Sequence, residues 1–251
     1  MSDGLEAEIA GPPWIYPWRL RDGRVVPVAV GELESVHRTR AEMIEARVRA
    51  ALAAAGPDAT ALDLACNEGW FSQRLLDWGA ARVVGIDIRE FNLRRARLMR
   101  DHYEIPDDRL DFRHADVFDL DARELGQYDV VLVLGLIYHV ENPMGVLRLA
   151  RACTRRLCVV ETQLTRQVDP IVHGNGRAGK YHESQGSFAV VIEAGDNTLA
   201  STGKVMSLVP NRIALVQMAH MAGFADVEFA VARDDHNPQY VDGDRAAIFA
   251  S

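Results

Sequence analysis

This chain is short of cysteine, of positive charge and of long apolar runs, and each shortage excludes a class of protein. Its 251 residues contain three cysteines, Cys66, Cys153 and Cys158, an odd number with no C-x-x-C spacing. A disulfide-stapled secreted scaffold is excluded, and a reduced, intracellular protein is expected. No apolar run approaches the ~18 residues that a membrane-crossing helix requires. The opening Met1-Ser2-Asp3-Gly4-Leu5-Glu6 lacks the basic-then-apolar order of a signal peptide, so the expected location is the cytoplasm. Lys and Arg total 28 against 36 Asp and Glu, a net charge of −8 without the basic footprint of a nucleic-acid binder. Arg94, Arg95, Arg97 and Arg100 cluster, but at helical spacing, and read as a solvated helix face. There is no internal repeat and no low-complexity tract. The length suits one large α/β domain, and an apolar fraction of 48% can fill a core on both sides of a sheet.

What is present is a strand, a turn, a helix and a second strand. Ala61-Leu62-Asp63-Leu64-Ala65 is an apolar run that ends in the polar turn Cys66-Asn67-Glu68-Gly69, with a helix start at Trp70-Phe71-Ser72. About twenty residues on, Arg82-Val83-Val84-Gly85-Ile86-Asp87-Ile88 ends in an acid. This is the βαβ nucleotide-binding pattern, in which the acid accepts hydrogen bonds from ribose hydroxyls. A dinucleotide site wants G-x-G-x-x-G so that a pyrophosphate can lie on bare backbone. Here only Gly69 remains, and Glu68 would repel a pyrophosphate. Asp63 instead suits a ligand with an ammonium group. A cationic nucleoside without phosphate fits better, and S-adenosylmethionine (SAM) is the common one.

Four ordered segments then resemble the class I SAM-dependent methyltransferases. Leu62-Asp63-Leu64-Ala65-Cys66-Asn67-Glu68-Gly69 is similar to their first motif, with Ala65 where a glycine usually stands. Val84-Gly85-Ile86-Asp87 resembles the ribose-binding strand end. Asp111-Phe112-Arg113-His114-Ala115-Asp116-Val117 resembles the segment whose acid reads the adenine amino group. Tyr128-Asp129-Val130-Val131-Leu132-Val133-Leu134-Gly135-Leu136-Ile137-Tyr138-His139-Val140 is similar to the fourth motif. The resemblance covers roughly residues 60–160. It implies SAM as cofactor, held by Asp63, Ala65, Asn67, Gly69, Asp87, Ile88, Asp116 and Val117, with Leu134 and Gly135 at the methionine end. Asp119 and Asp121 compete with Asp116, and Asn67 could serve the turn alone. Cys66-Asn67-Glu68-Gly69-Trp70-Phe71-Ser72 with Leu136-Ile137-Tyr138-His139 further resembles a branch that includes tRNA wobble-uridine carboxymethyltransferases and many small-molecule methyltransferases.

Strands are expected at 60–65, 82–87, 110–114, 129–134 and 156–161, and helices at 34–55, 70–78, 92–102 and 143–154. Their alternation implies a Rossmann-like, doubly wound, mostly parallel sheet. Two further strands, 227–231 and 246–250, match the family's closing hairpin and complete seven strands with the last antiparallel. Residues 1–33, rich in Pro and aromatics, read as an extended arm, either a packing strap or a partial roof over the cleft. The domain proper spans 34–251. Within it, 162–207 is a long glycine-rich connection at the carboxyl edge of the sheet, expected to cover the substrate.

Methyl transfer needs alignment, exclusion of water and, for some acceptors, removal of a proton. His139 follows the fourth strand and is the candidate base, with a helix-entry packing role as the alternative. Tyr138 faces either the sulfonium or the core. Glu161, ending the fifth strand, could orient a substrate hydroxyl or amine. His173, His182 and Glu183 raise a metal, but the loop lacks the clustered acids of such sites and none is expected. The expected function is SAM-dependent methylation of O, N or C on a small molecule, with no nucleic-acid or membrane partner. A tRNA-modifying enzyme and a non-catalytic SAM-binding protein are the alternatives. The oligomeric state is open, a homodimer being one option.

Overall fold

The computed structural model describes residues 3–166, 186–192 and 206–251. In order, the elements are α1 (Asp3–Ile9), α2 (Gly31–Ala55), β1 (Thr60–Leu64), α3 (Trp70–Asp77), β2 (Arg82–Asp87), α4 (Glu90–His102), β3 (Leu110–His114), α5 (Ala122–Leu125) and β4 (Tyr128–Leu134). A short 3-10 turn, Ile137–His139, follows, then α6 (Pro143–Cys153), β5 (Thr154–Gln163), β6 (Phe188–Ile192), β7 (Met206–Pro210), α7 (Arg212–Ala222), β8 (Val227–Phe229), α8 (Pro238–Val241) and β9 (Arg245–Ala250).

Seven strands form one sheet in the order β3-β2-β1-β4-β5-β9-β8, and β6 pairs with β7 separately. β1 to β5 are parallel, while β9 runs antiparallel to both β5 and β8. Alternate residues of each strand point to opposite faces. Ala61, Val83, Val130, Leu132 and Val159 therefore enter one core with α2, α3, α4 and the arm. Leu62, Leu64, Val84, Val131, Val133 and Val160 enter the other with α6 and α7. Local chemistry sets the helix ends: Asn142 accepts from Gly145 N ahead of Pro143 at the start of α6, and Asn211 accepts from Ala214 N at α7.

The structure corrects several sequence readings. The arm is not purely extended, since it opens with α1. Trp14, Tyr16, Trp18 and Leu20 are all buried in the core. Arg95 is no solvated residue: at 1% exposure it pairs with Glu8 and Glu68 and donates to the Pro13 carbonyl. Its position on α4 places it beneath the arm, where helical spacing alone cannot distinguish inward from outward. Glu68 does not face a ligand. Its carboxylate accepts from the backbone of Ile15 and Tyr16, tying the arm to the turn. β5 continues to Gln163, so Glu161 lies inside a strand and not at its tip. Of the expected cover, 167–185 and 193–205 fall outside the described residues, and His173, His182 and Glu183 fall there too.

Candidate functional site

The site is built at the carboxyl ends of β1, β2 and β4. After β1 the chain turns through three left-handed residues in alternation, Ala65 (φ 59°), Asn67 (φ 52°) and Gly69 (φ 77°). The turn is pinned to β2: Cys66 N donates to the Ile86 carbonyl at 2.9 Å, and Asn67 N donates to Asp87 Oδ2 at 2.8 Å. The other Asp87 oxygen accepts from Arg89 N at 2.8 Å. Burial raises the Asp87 carboxyl above its ordinary range, and these amides oppose the rise.

Two cavities meet here. The larger, about 630 Å³, is lined by Ala65, Asp87, Ile88, Arg89, Ala115, Asp116, Val117, Phe118, Leu136 and His139, among others. The smaller, about 170 Å³, is lined by Ile15 and Tyr16 of the arm, Leu33, Val36, His37 and Arg40 of α2, and by Asn67, Leu134, Gly135, Tyr138 and Arg245. Ala65, Asp87, Arg89, Leu136 and His139 belong to both walls, so the cavities form one cleft. In the large lobe the Asp116 carboxylate accepts from Phe118 N at 2.9 Å, which fixes the loop after β3.

Behind the small lobe lies a buried ionic cluster. Glu161, with no exposure, pairs with Arg40 Nη2 at 2.8 Å and Arg245 Nη1 at 3.1 Å, and accepts from the Tyr240 hydroxyl at 2.8 Å. Burial pushes the Glu161 carboxyl upward, but the two guanidiniums overcome this and hold it below its usual range. Burial likewise opposes charge on Arg40 and Arg245, and Glu161 keeps both above the ordinary guanidinium range. Arg245 Nη2 donates to the Tyr138 hydroxyl at 3.2 Å. The Tyr138 and His139 rings lie 4.0 Å apart. Gly135, at φ 72°, donates its N–H to the Glu161 carbonyl, and a Cβ there would stand 3.6 Å from both Arg40 and the Tyr138 hydroxyl.

Ten of the thirteen residues expected at the site line this cleft: Ala65, Asn67, Asp87, Ile88, Asp116, Val117, Leu134, Gly135, Tyr138 and His139. Asp63, Gly69 and Glu161 do not. Asp63 is buried and accepts from Ser72 Oγ at 2.7 Å; burial pushes its carboxyl up to about 7. Gly69 lines neither cavity, and a Cβ there would come 2.6 Å from Phe112 Cζ. Glu161 reaches the cleft only through the arginines it holds. His37, Arg40 and Arg245 went unnoticed in the sequence. A signal for Arg40 exists: Val36, Arg40, Ile44, Val48 and Leu52 recur every four residues and are all buried. Among the described residues no grouping of His, Cys, Asp and Glu could hold a metal ion, and no helix is long and apolar enough to cross a membrane.

Residues 61–157 match the family model described as a methyltransferase domain. That stretch is similar to methyltransferase domains. It resembles the ubiquinone biosynthesis O-methyltransferase of Bordetella pertussis, 36% identical over 94 residues, which are 38% of this chain and 37% of that protein. It also resembles the O-antigen chain terminator bifunctional methyltransferase/kinase WbdD of Escherichia coli, 28% identical over 169 residues, 65% of this chain and 23% of that one. The chain thus spans well under half the length of these relatives. Solved structures share the fold of the described residues. The N-terminal domain of EvdMO1 with SAH bound superposes with a TM-score of 0.70 at 23% identity, covering 100% of this chain and 96% of that one. Magnesium protoporphyrin IX methyltransferase from Synechocystis with bound SAM superposes at 0.56 and 14% identity, over 99% and 91%. These likenesses support the class I superfamily and do not reach to the wobble-uridine branch.

Proposed function

We propose that this protein is a SAM-dependent methyltransferase acting on a small molecule, with SAM across the cleft and the acceptor in its smaller lobe. The observation that carries this reading is the meeting of the two cavities at Asp87 and His139, a larger lobe with room for a nucleoside joined to a smaller one. The residues present fit that cofactor. Asp87 lies at the junction and has lone pairs beyond those its two amide partners use. Ile88 and Val117 offer apolar surface beside Asp116 for an adenine ring. Asn67 Oδ1 is buried with no hydrogen-bond partner among the described residues, an acceptor suited to an ammonium group. When bound, SAM supplies a methyl group activated by a sulfonium.

The chain's own residues then have few tasks. Asp87 orients the ribose, and the apolar walls of the large lobe exclude water. Tyr138 and His139 border the lobe where an acceptor is held. His139 takes a proton from that acceptor where the chemistry requires it. Glu161 is a positioning residue, fixing Arg40 and Arg245 on the cleft wall.

The test is calorimetry with S-adenosylhomocysteine (SAH), followed by turnover of labelled SAM with a metabolite panel and with bulk tRNA. Nucleoside binding and methylation of a small metabolite are expected. Faster methylation of tRNA than of any metabolite would reassign the substrate class, and binding without any turnover would favour a regulatory SAM-binding protein.

A further inference from the structure

The smaller lobe makes a polar demand that the protein does not itself meet. His37 on α2 is 4% exposed and lines this lobe. One ring nitrogen faces the Ile15 backbone, and the other has no hydrogen-bond partner among the described residues. A buried polar group left without a partner is unfavourable, and native proteins keep few of them. The ring is held in place by Tyr16, with centroids 4.2 Å apart. The backbone of Tyr16 is in turn held by Glu68, so the ring lies against an anchored part of the lobe's wall.

The neighbouring groups define what could satisfy it. Arg40 and Arg245 only donate hydrogen bonds. Burial and these two guanidiniums hold the His37 imidazole well below its ordinary range, so it stays neutral and keeps one nitrogen as an acceptor. A hydroxyl matches this set, donating its proton to the imidazole while its oxygen accepts from a guanidinium. A protonated amine does not, because Glu161 already faces two arginines and the other carboxylate of the lobe, Asp87, is assigned to the ribose.

We propose that His37 is an acceptor-binding residue, its ring nitrogen receiving the hydrogen bond of a hydroxyl group on a small neutral acceptor. The proposal rests on the methyltransferase reading and narrows its acceptor to alcohols and phenols.

Wild type, His37→Phe and His37→Gln are compared in two titrations. The first uses SAH alone. The second adds catechol or a methyl glucoside to SAH-loaded protein, followed by ligand-observed NMR. SAH should bind all three alike. At least one hydroxyl probe should bind wild type, bind His37→Phe roughly tenfold more weakly, the factor for one hydrogen bond of about 1.4 kcal/mol, and recover with His37→Gln, which keeps an acceptor oxygen. A tenfold loss of SAH affinity would hand His37 to the cofactor and overturn the proposal. Equal probe binding by all three proteins would do the same, as would failure of both probes to bind SAH-loaded wild type. Failure of SAH to bind wild type would instead remove the methyltransferase reading itself.

Discussion

At the scale of single residues, two buried carboxylates with opposite surroundings make separate predictions. Asp87 sits at the seam of the cleft, and Asp87→Ala should weaken SAH by about tenfold or more, as expected for hydrogen bonds to a charged group worth ~1.5–3 kcal/mol. Unchanged affinity by calorimetry in a folded variant would remove the ribose assignment. Asp63 lies out of the cleft, and burial raises it to about 7 from an ordinary 3.8. Between those values the folded protein holds a proton that the unfolded chain releases. The stability it contributes is complete below the lower value and is lost as pH rises through the upper one. Asp63→Asn, which is always neutral, should match wild type in melting temperature near pH 4 and exceed it near pH 8. Parallel profiles would show that Asp63 titrates normally. Asp87 was legible in the sequence because an acid closing an apolar strand has few other readings. Arg40 and Arg245 were not: Arg40 and its partner Tyr240 are 200 residues apart, and no local pattern reports such a meeting.

At the scale of the element, the turn after β1 divides its left-handed residues between two causes. Ala65 and Asn67 line the cleft, whereas Gly69 backs onto Phe112, which also presses on Gly85 from β3. Gly69→Ala carries both a clash and a positive φ, so a loss of about 2–4 kcal/mol is expected by chemical denaturation. Ala65→Gly removes an unfavourable left-handed alanine, at a cost in unfolded-chain entropy, and should change stability by less than about 1 kcal/mol. A larger loss at Ala65 than at Gly69 would reverse the assignment. The strands themselves were readable because parallel strands covered on both faces are continuous apolar runs. The reason for Gly69 was not, because a glycine demanded by a ligand and one demanded by a phenyl ring look alike until β3 is placed.

At the scale of the whole molecule, the arm is held by charge as well as by apolar burial. Glu68 joins the backbone of Ile15 and Tyr16 to Arg95, so Glu68→Gln removes one of the two carboxylates that face this buried guanidinium while Glu8 remains, a defect of about 1–3 kcal/mol. Faster proteolysis between α1 and α2 and a lower melting temperature are expected. Arg94→Ala, removing a largely exposed charge, should change little. Equal behaviour of the two variants would mean that aromatic packing alone secures the arm. The division of the cleft has a consequence for descent. Asp87, Asp116, Val117 and His139 fall within residues 61–157, the stretch that matches the family model, while Tyr16, His37, Arg40 and Arg245 lie outside it. The smaller lobe therefore takes one part of its wall, with Asn67, Leu134, Gly135 and Tyr138, from that stretch and the other part from outside it, so the outer part can be varied while the inner part is inherited unchanged.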